Sequence, residues 1–322
     1  MDARVAEDLL ATMLRIRAFE ERVAQLHRSL QIQGLVHLSI GGEGVAAAVC
    51  RQLRVDDAVY STHRAHGHAL AKGACAGRVM AELMGTRDGL CRGLGGSMHL
   101  VDAEHGLMGA TGVVGGNLPL AAGDALAAAL SGSDRVTVAF FGDGAVQAGH
   151  FAETVNLASL WCLPLILVCE NNGMAEFTPR SEHTRVESVC ELVAPYGFER
   201  RLVDGSDVVQ VWDAFGELLA AARGGEHARR GPFLLECLVH RRRGHYEGDQ
   251  QAYRDELAEA EWARLDPLQR FRALAAERGW VAPEQAERLA ERAREEVDEA
   301  VAGARSGRPL PMAQAAELVY AS

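Results

Sequence analysis

Between residues 136 and 240, short apolar runs alternate with amphipathic stretches. The runs "VTVAFF", "LPLILVC", "FERRLV" and "PFLLECLV" have strand length, and residues 149–160 and 207–222 between them repeat apolar positions at helical spacing. That rhythm predicts an α/β fold, a parallel sheet with helices on both faces. Upstream, Val5, Leu9, Met13, Ile16, Val23 and Leu26 recur every three to four residues with Arg and Glu between them. This predicts an amphipathic helix over about 4–29 that packs across a larger body or a partner. Residues 58–132 are rich in Gly, Ala and His, whereas Ala, Glu and Arg dominate after about 255. Asp266 with Pro267, and Ala282 with Pro283, read as helix starts in a solvated, helical C-terminal part spanning about 255–322. With no internal repeat and no low-complexity linker, residues 1–322 are expected to form one α/β domain.

Composition narrows the partners. The net charge is -11 and the 33 Lys and Arg are scattered, so nucleic acid and anionic membrane are not expected to bind. No apolar stretch approaches 18 residues, and "MDARVAEDLL" lacks the basic-then-apolar order of a signal peptide. Cys50, Cys75, Cys91, Cys162, Cys169, Cys190 and Cys237 follow no CxxC or metal-ligand spacing, and several lie in apolar runs. A reducing, cytoplasmic setting is the expectation.

The candidate chemistry lies where two predicted strands stop. "VAFF" is followed by "GDG" and "LILVC" by "ENNG", which places Asp143 and Asn172 29 residues apart. A strand, a crossover helix and a second strand need roughly 30 residues, so both side chains fall at C-terminal strand ends, the edge of an open α/β sheet where ligands bind. One carboxylate and one amide oxygen suit Mg²⁺ or Ca²⁺ completed by water and substrate phosphate. Gly142, Gly144 and Gly173 leave room for backbone to approach an anion. Either motif alone is more often a plain turn. The pair at this spacing favours a site.

"GDG" paired with "NN" resembles the thiamine diphosphate signature. "THRAHGHALAKG", "GLGGSMHL", "GVVGGNLPLAAGDALA", "GDGAVQAGHFAETVNLASLWCLPLILVCENN" and "RRRGHYEGDQQAYR" occur in the order of the alpha subunits of the pyruvate, branched-chain and acetoin dehydrogenase family, over about residues 10–320. The resemblance implies a thiamine diphosphate-binding fold. It implies that Asp143, Asn172 and the Met174 carbonyl bind Mg²⁺. Gly144 and Ala145 would offer amides to the diphosphate, Arg64 and Arg241 guanidinium groups, and Gly112 and Val114 backbone groups to the aminopyrimidine. His66 and His245 would be the catalytic proton-transfer residues. The activating glutamate would belong to a separate beta subunit, so this chain supplies half a site in an assembly of two alpha and two beta chains.

The function implied is cleavage of a 2-oxo acid or acetoin with transfer of the acyl unit to a lipoyl carrier. A second enzymatic reading is transfer of a two-carbon ketol unit from a sugar phosphate to an acyl carrier protein. A third is a noncatalytic cofactor-binding subunit. The chain departs from the family pattern at Gly42, His63, Gln147 and Ala148, and has Tyr246 where animal pyruvate enzymes carry a regulatory serine. With Gly244 and Gly248 as hinges, the loop 241–254 is expected to order when Arg241 and Arg254 gain an anionic partner, and Tyr246 to line the substrate entrance.

Overall fold

A computed structural model describes residues 1–224, 231–254 and 264–318 of the 322. Part of the expected C-terminal region, 255–263 and 319–322, lies outside the described residues. The chain opens with α1 (Ala3–Arg28), capped by Asp2, whose Oδ1 accepts from the Val5 amide at 2.9 Å, and continues to α2 (Glu43–Cys50). β1 (Ala58–Ser61), α3 (Ala65–Lys72), α4 (Ala76–Leu83), β2 (Leu107–Ala110) and α5 (Asn117–Leu130) follow. Next come β3 (Thr137–Gly142), α6 (Gly149–Leu160) and β4 (Leu165–Asn171). A small hairpin, β5 (Met174–Ala175) with β6 (Thr178–Pro179), leads through α7 (Arg180–His183) and α8 (Val189–Val193) to β7 (Glu199–Asp204), α9 (Val208–Arg223) and β8 (Phe233–Leu238). α10 (Pro267–Glu277), α11 (Pro283–Ser306) and α12 (Met312–Glu317) complete the described chain.

The main sheet has six strands in the order β2-β1-β3-β4-β8-β7, every pairing parallel. The alternation in each strand divides two cores. Val138 and Phe140 of β3 and Ile166 and Val168 of β4 face the core built with α1, α2, α9 and α11. Ala139, Phe141, Leu165, Leu167 and Cys169 face the other, with α5, α6 and α8. A sheet buried on both faces gives near-continuous apolar strands, which is why these two were legible as runs.

The opening helix packs against the body of the same chain. Leu9, Leu10, Met13, Ile16, Phe19 and Val23 are buried within the first core, and Arg15 of α1 binds Glu296 of α11 at 2.7 Å. The expectation of a solvated C-terminal part needs correction for α11. Ala286, Leu289, Ala290, Ala293, Val297, Ala300, Val301 and Ala304 are buried, a helical stripe of small residues that lets α11 approach α1 and α4 closely. Asp266 caps α10 through the Leu268 amide at 2.9 Å and receives Arg17 of α1 at 3.1 Å, tying the C-terminal helices to the body.

Candidate cofactor site

Strand order reverses between β1 and β3, because the chain runs outward from β1 to β2 on one side and from β3 to β4 on the other. The C-terminal ends flanking such a switch point form a crevice. Here the pocket has a volume of about 520 Å³ and is lined by the segments leaving five strands. β1 leads to Thr62, His63 and Arg64; β2 to Gly112 and Val114; β3 to Gly144 and Ala145; β4 to Asn172 and Met174; β8 to Arg241 and His245. Parallel pairing points all five ends the same way, so these residues converge although the sequence spreads them over 180 positions.

Asp143 and Asn172 leave adjacent strands, and the Asn172 amide donates to Asp143 Oδ1 at 3.2 Å. Asp143 is 1% exposed, and burial pushes its carboxyl up to about 6. Its Oδ2 and the Asn172 Oδ1 are both buried without a hydrogen-bond partner. Two orphaned oxygens of this kind fit a hard cation, which satisfies oxygen acceptors and favours the ionised carboxylate. Glu236 of β8 holds the segment in place. Its Oε1 accepts from Asn171 Nδ2 at 2.7 Å and its Oε2 from Ser188 Oγ and the Cys190 amide, each at 2.8 Å. Asn171 Oδ1 in turn accepts from the Gly173 amide at 3.0 Å, fixing the turn that carries Asn172. A Cβ at Gly144 would lie 2.8 Å from that of Ala175, so only glycine lets the strand end and the β5–β6 hairpin approach this closely.

Two guanidinium groups line the same pocket as Asn172. Arg64 donates to the Leu38 carbonyl at 2.9 Å and the His245 carbonyl at 2.7 Å, and Arg241 donates to the Glu176 carbonyl at 2.9 Å and Tyr253 Oη at 3.0 Å. Among the described residues neither forms an ion pair with a carboxylate. Burial, then mutual repulsion with Arg241, holds Arg64 down at about 9, and burial also lowers Arg241. Two half-buried cations, neither ion-paired to a carboxylate among the described residues, suit an anion with the bidentate geometry of diphosphate oxygens.

His245 stands between them, its Nδ1 3.4 Å from Arg64 Nη2 and 3.3 Å from Arg241 Nη1. Burial and then both arginines push this imidazole down to about 4, so it is neutral at pH 7. His37 and His63 lie alongside, pushed down to about 3 and about 2 by burial first and Arg64 second. His37, Asn117 and Glu170 are pocket residues that the motif reading passed over. The signal for His37 was a lone His inside the apolar "LVHLSI", next to a Gly pair.

His66 does not reach the pocket. It is completely buried at the start of α3, with Nδ1 on Glu20 Oε2 and Nε2 on Ser97 Oγ, both at 2.9 Å. Both ring nitrogens are committed, so the expectation of a catalytic His66 is corrected to a structural tie between α1 and the segment before β2. The loop 241–254 carries hydrogen bonds of its own. The His245 amide and Tyr253 Oη both bond Asp249 Oδ2, at 2.7 and 2.6 Å, and Arg254 already bonds the Arg241 carbonyl at 2.8 Å. Tyr246 lies outside the pocket lining, its ring edge-on to His245. Val114 does line the pocket, but its carbonyl is within 3.1 Å of His150 Nε2.

Fold and site together define the class: a doubly wound α/β protein whose strand ends offer oxygen donors and guanidinium groups to an anionic cofactor. The chain belongs to the Dehydrogenase E1 component family, which matches residues 11–312, and is a thiamine diphosphate-dependent dehydrogenase alpha subunit. It is 45% identical over 242 residues to the alpha subunit of acetoin:2,6-dichlorophenolindophenol oxidoreductase of Bacillus subtilis, covering 75% of this chain and 72% of the relative. The protein of the same name from Cupriavidus necator matches with the same identity and coverage. The pyruvate dehydrogenase E1 component subunit alpha of Rhizobium meliloti is 38% identical over 279 residues, 86% of this chain and 79% of the relative.

Proposed function

We propose that this chain supplies the diphosphate half of an active site that cleaves acetoin or a short 2-oxo acid and passes the acyl unit to a lipoyl carrier. The observation that carries the reading is a pocket lined by Asn172, Arg64 and Arg241, with Asp143 just behind its lining residues Gly142 and Gly144 and bonded to the Asn172 amide: Asp143 Oδ2 and Asn172 Oδ1 are orphaned, and neither arginine has a carboxylate partner among the described residues. In this reading Asp143, Asn172 and the Met174 carbonyl hold Mg²⁺, and the amides of Gly144 and Ala145 with Arg64 and Arg241 hold the diphosphate. Gly112 and Val114 face the aminopyrimidine. When bound, the cofactor would supply an acidic carbon that is nucleophilic once deprotonated and a ring that takes up negative charge. His245, neutral at pH 7 and within the pocket, donates or accepts protons at the substrate oxygen.

A beta subunit provides the activating glutamate, in an assembly of two alpha and two beta chains. Val113 and Val114 at the pocket and Leu120 in the first turn of α5 are exposed, apolar side chains suited to that partner. Residues 1–322 act as one domain. The seven cysteines are free, and no described helix is long and apolar enough to cross a membrane, both compatible with a reducing cytoplasm. The greater identity to the acetoin enzymes supports acetoin over pyruvate as substrate. The test is dye reduction by the purified chain with acetoin or pyruvate, thiamine diphosphate and Mg²⁺, with and without the beta chain. Turnover is expected only with both chains and faster with acetoin. Turnover by the lone chain, or none by the pair with either substrate, contradicts the reading.

A further inference from the structure

His37, His63 and His245 come from three separate segments, the loop before α2, the end of β1 and the loop after β8. One ring nitrogen from each lies within 4.8 Å of the others. The ring centroids are 4.6 Å apart for His37 and His63, 5.0 Å for His37 and His245, and 5.6 Å for His63 and His245, and the rings meet edge-on or tilted. None of the three pairs is stacked. A second observation points the same way. His37 is 5% exposed, and its Nδ1, like His63 Nε2, is buried without a hydrogen-bond partner. Two orphaned imidazole nitrogens beside a third ring are the counterpart, in nitrogen, of the orphaned oxygens of Asp143 and Asn172.

We propose that His37, His63 and His245 form a binding site for a borderline transition-metal ion of the Zn²⁺ type, separate from the oxygen-lined Mg²⁺ site in the same pocket. Ligand chemistry separates the two ions: imidazole suits Zn²⁺, whereas carboxylate and amide oxygens suit Mg²⁺. Three histidines leave a fourth tetrahedral position that faces the pocket. Zn–N bonds of about 2.0–2.1 Å place ligand atoms roughly 3.4 Å apart, so the rings close by about an ångström on binding. Arg64 Nη2 and Arg241 Nη1 stand 3.4 and 3.3 Å from His245 Nδ1, so ligation by either nitrogen of this ring requires the guanidinium groups to shift. Their positive charge opposes a cation. Affinity is therefore set by a balance that an anion in the pocket shifts toward the metal.

The ion takes the His245 lone pair that proton transfer needs, so it acts as a reversible inhibitor. That consequence rests on the role proposed above for His245, whereas binding itself does not. His63 is the element that the substitution test addresses, since a phenol in its place does not complete an imidazole triad.

The test uses the full chain with its beta partner, stripped of metal and free of thiamine diphosphate. Zn²⁺ is titrated against a chromophoric chelator, Co²⁺ is followed by visible absorption, and X-ray absorption is recorded on the Zn²⁺-loaded wild type. One Zn²⁺ per alpha chain is expected, with a shell of three imidazole nitrogens and an intense tetrahedral Co²⁺ spectrum. His63→Tyr and His37→Asn should each weaken binding by more than the roughly 10- to 100-fold that loss of an outer partner costs, with circular dichroism reporting that each remains folded. Equal affinity in wild type and both variants, or a sulfur-rich shell from Cys75, Cys91 or Cys162, overturns the proposal. If either variant unfolds, the wild-type shell decides alone, and fewer than three imidazoles there also overturns it.

Discussion

Arg64, Arg241 and His245 share one corner of the pocket, yet the account gives them different work. The arginines are half-buried cations with no ion-paired carboxylate among the described residues, so an anion in the pocket is the partner that strengthens them most. His245 is a neutral ring positioned between them. Arg241→Ala should therefore weaken thiamine diphosphate binding while the loop around it stays folded through Asp249 and Tyr253. His245→Ala should lower turnover by about 10²- to 10⁴-fold, the usual cost of losing a positioned proton-transfer group, with little change in cofactor affinity. Calorimetry and steady-state rates on the two variants separate these effects. The opposite pattern, with cofactor lost in His245→Ala and rate alone lost in Arg241→Ala, contradicts the assignment. His66→Gln, by contrast, should show itself in thermal stability, because both of its ring nitrogens are tied up in the interior.

At the scale of elements, Glu236 links β8 to the turn after β4 and to α8. Burial pushes this carboxyl up, but the hydrogen bonds from the Cys190 and Val189 amides, Asn171 and Ser188 outweigh it, and the group sits below its usual 4.5. A carboxyl lowered on folding contributes stability that is complete above the unfolded value and is lost as pH falls through the folded one. The melting temperature should hold above about pH 5 and drop below pH 4.5. Glu236→Gln should flatten that acid slope and cost about 1–3 kcal/mol at pH 7, because a buried donor loses its acceptor. Melting curves from pH 7 to 3 test this, and parallel acid slopes in the two proteins refute it. The same element scale explains what the sequence could reveal. β3, β4, β7 and β8 were legible because strand-length apolar runs end in polar turns. β1 and β2 were not, since "AVYS" and "LMGA" have four residues each inside a Gly- and Ala-rich stretch. α11 read as solvated because its buried stripe is mostly alanine, and alanine marks a core face only by its spacing. Asp143 and Asn172 were found by their βαβ spacing, whereas His66 was misplaced because motif order does not say which way a helix turns its side chains. His37 was missed because a lone histidine carries no spacing at all.

For the whole molecule, the pocket opens beside an apolar edge, with Val113 66% and Val114 53% exposed in its lining. An acidic chain of net charge -11 with such an edge is built to be covered. Sedimentation of the chain with its beta partner should give the mass of two alpha and two beta chains, with permanent interfaces beyond roughly 2,000 Å²; a stable, active lone chain is the contrary result. The central claim is that strand ends brought together by the parallel sheet hold a Mg²⁺-linked diphosphate through Asp143. It is tested most directly by calorimetric titration of thiamine diphosphate, with and without Mg²⁺, into the alpha–beta complex of wild type and Asp143→Ala. The account predicts saturable, Mg²⁺-dependent binding that disappears in Asp143→Ala with the melting temperature nearly unchanged, and equal affinity in the two proteins would contradict it.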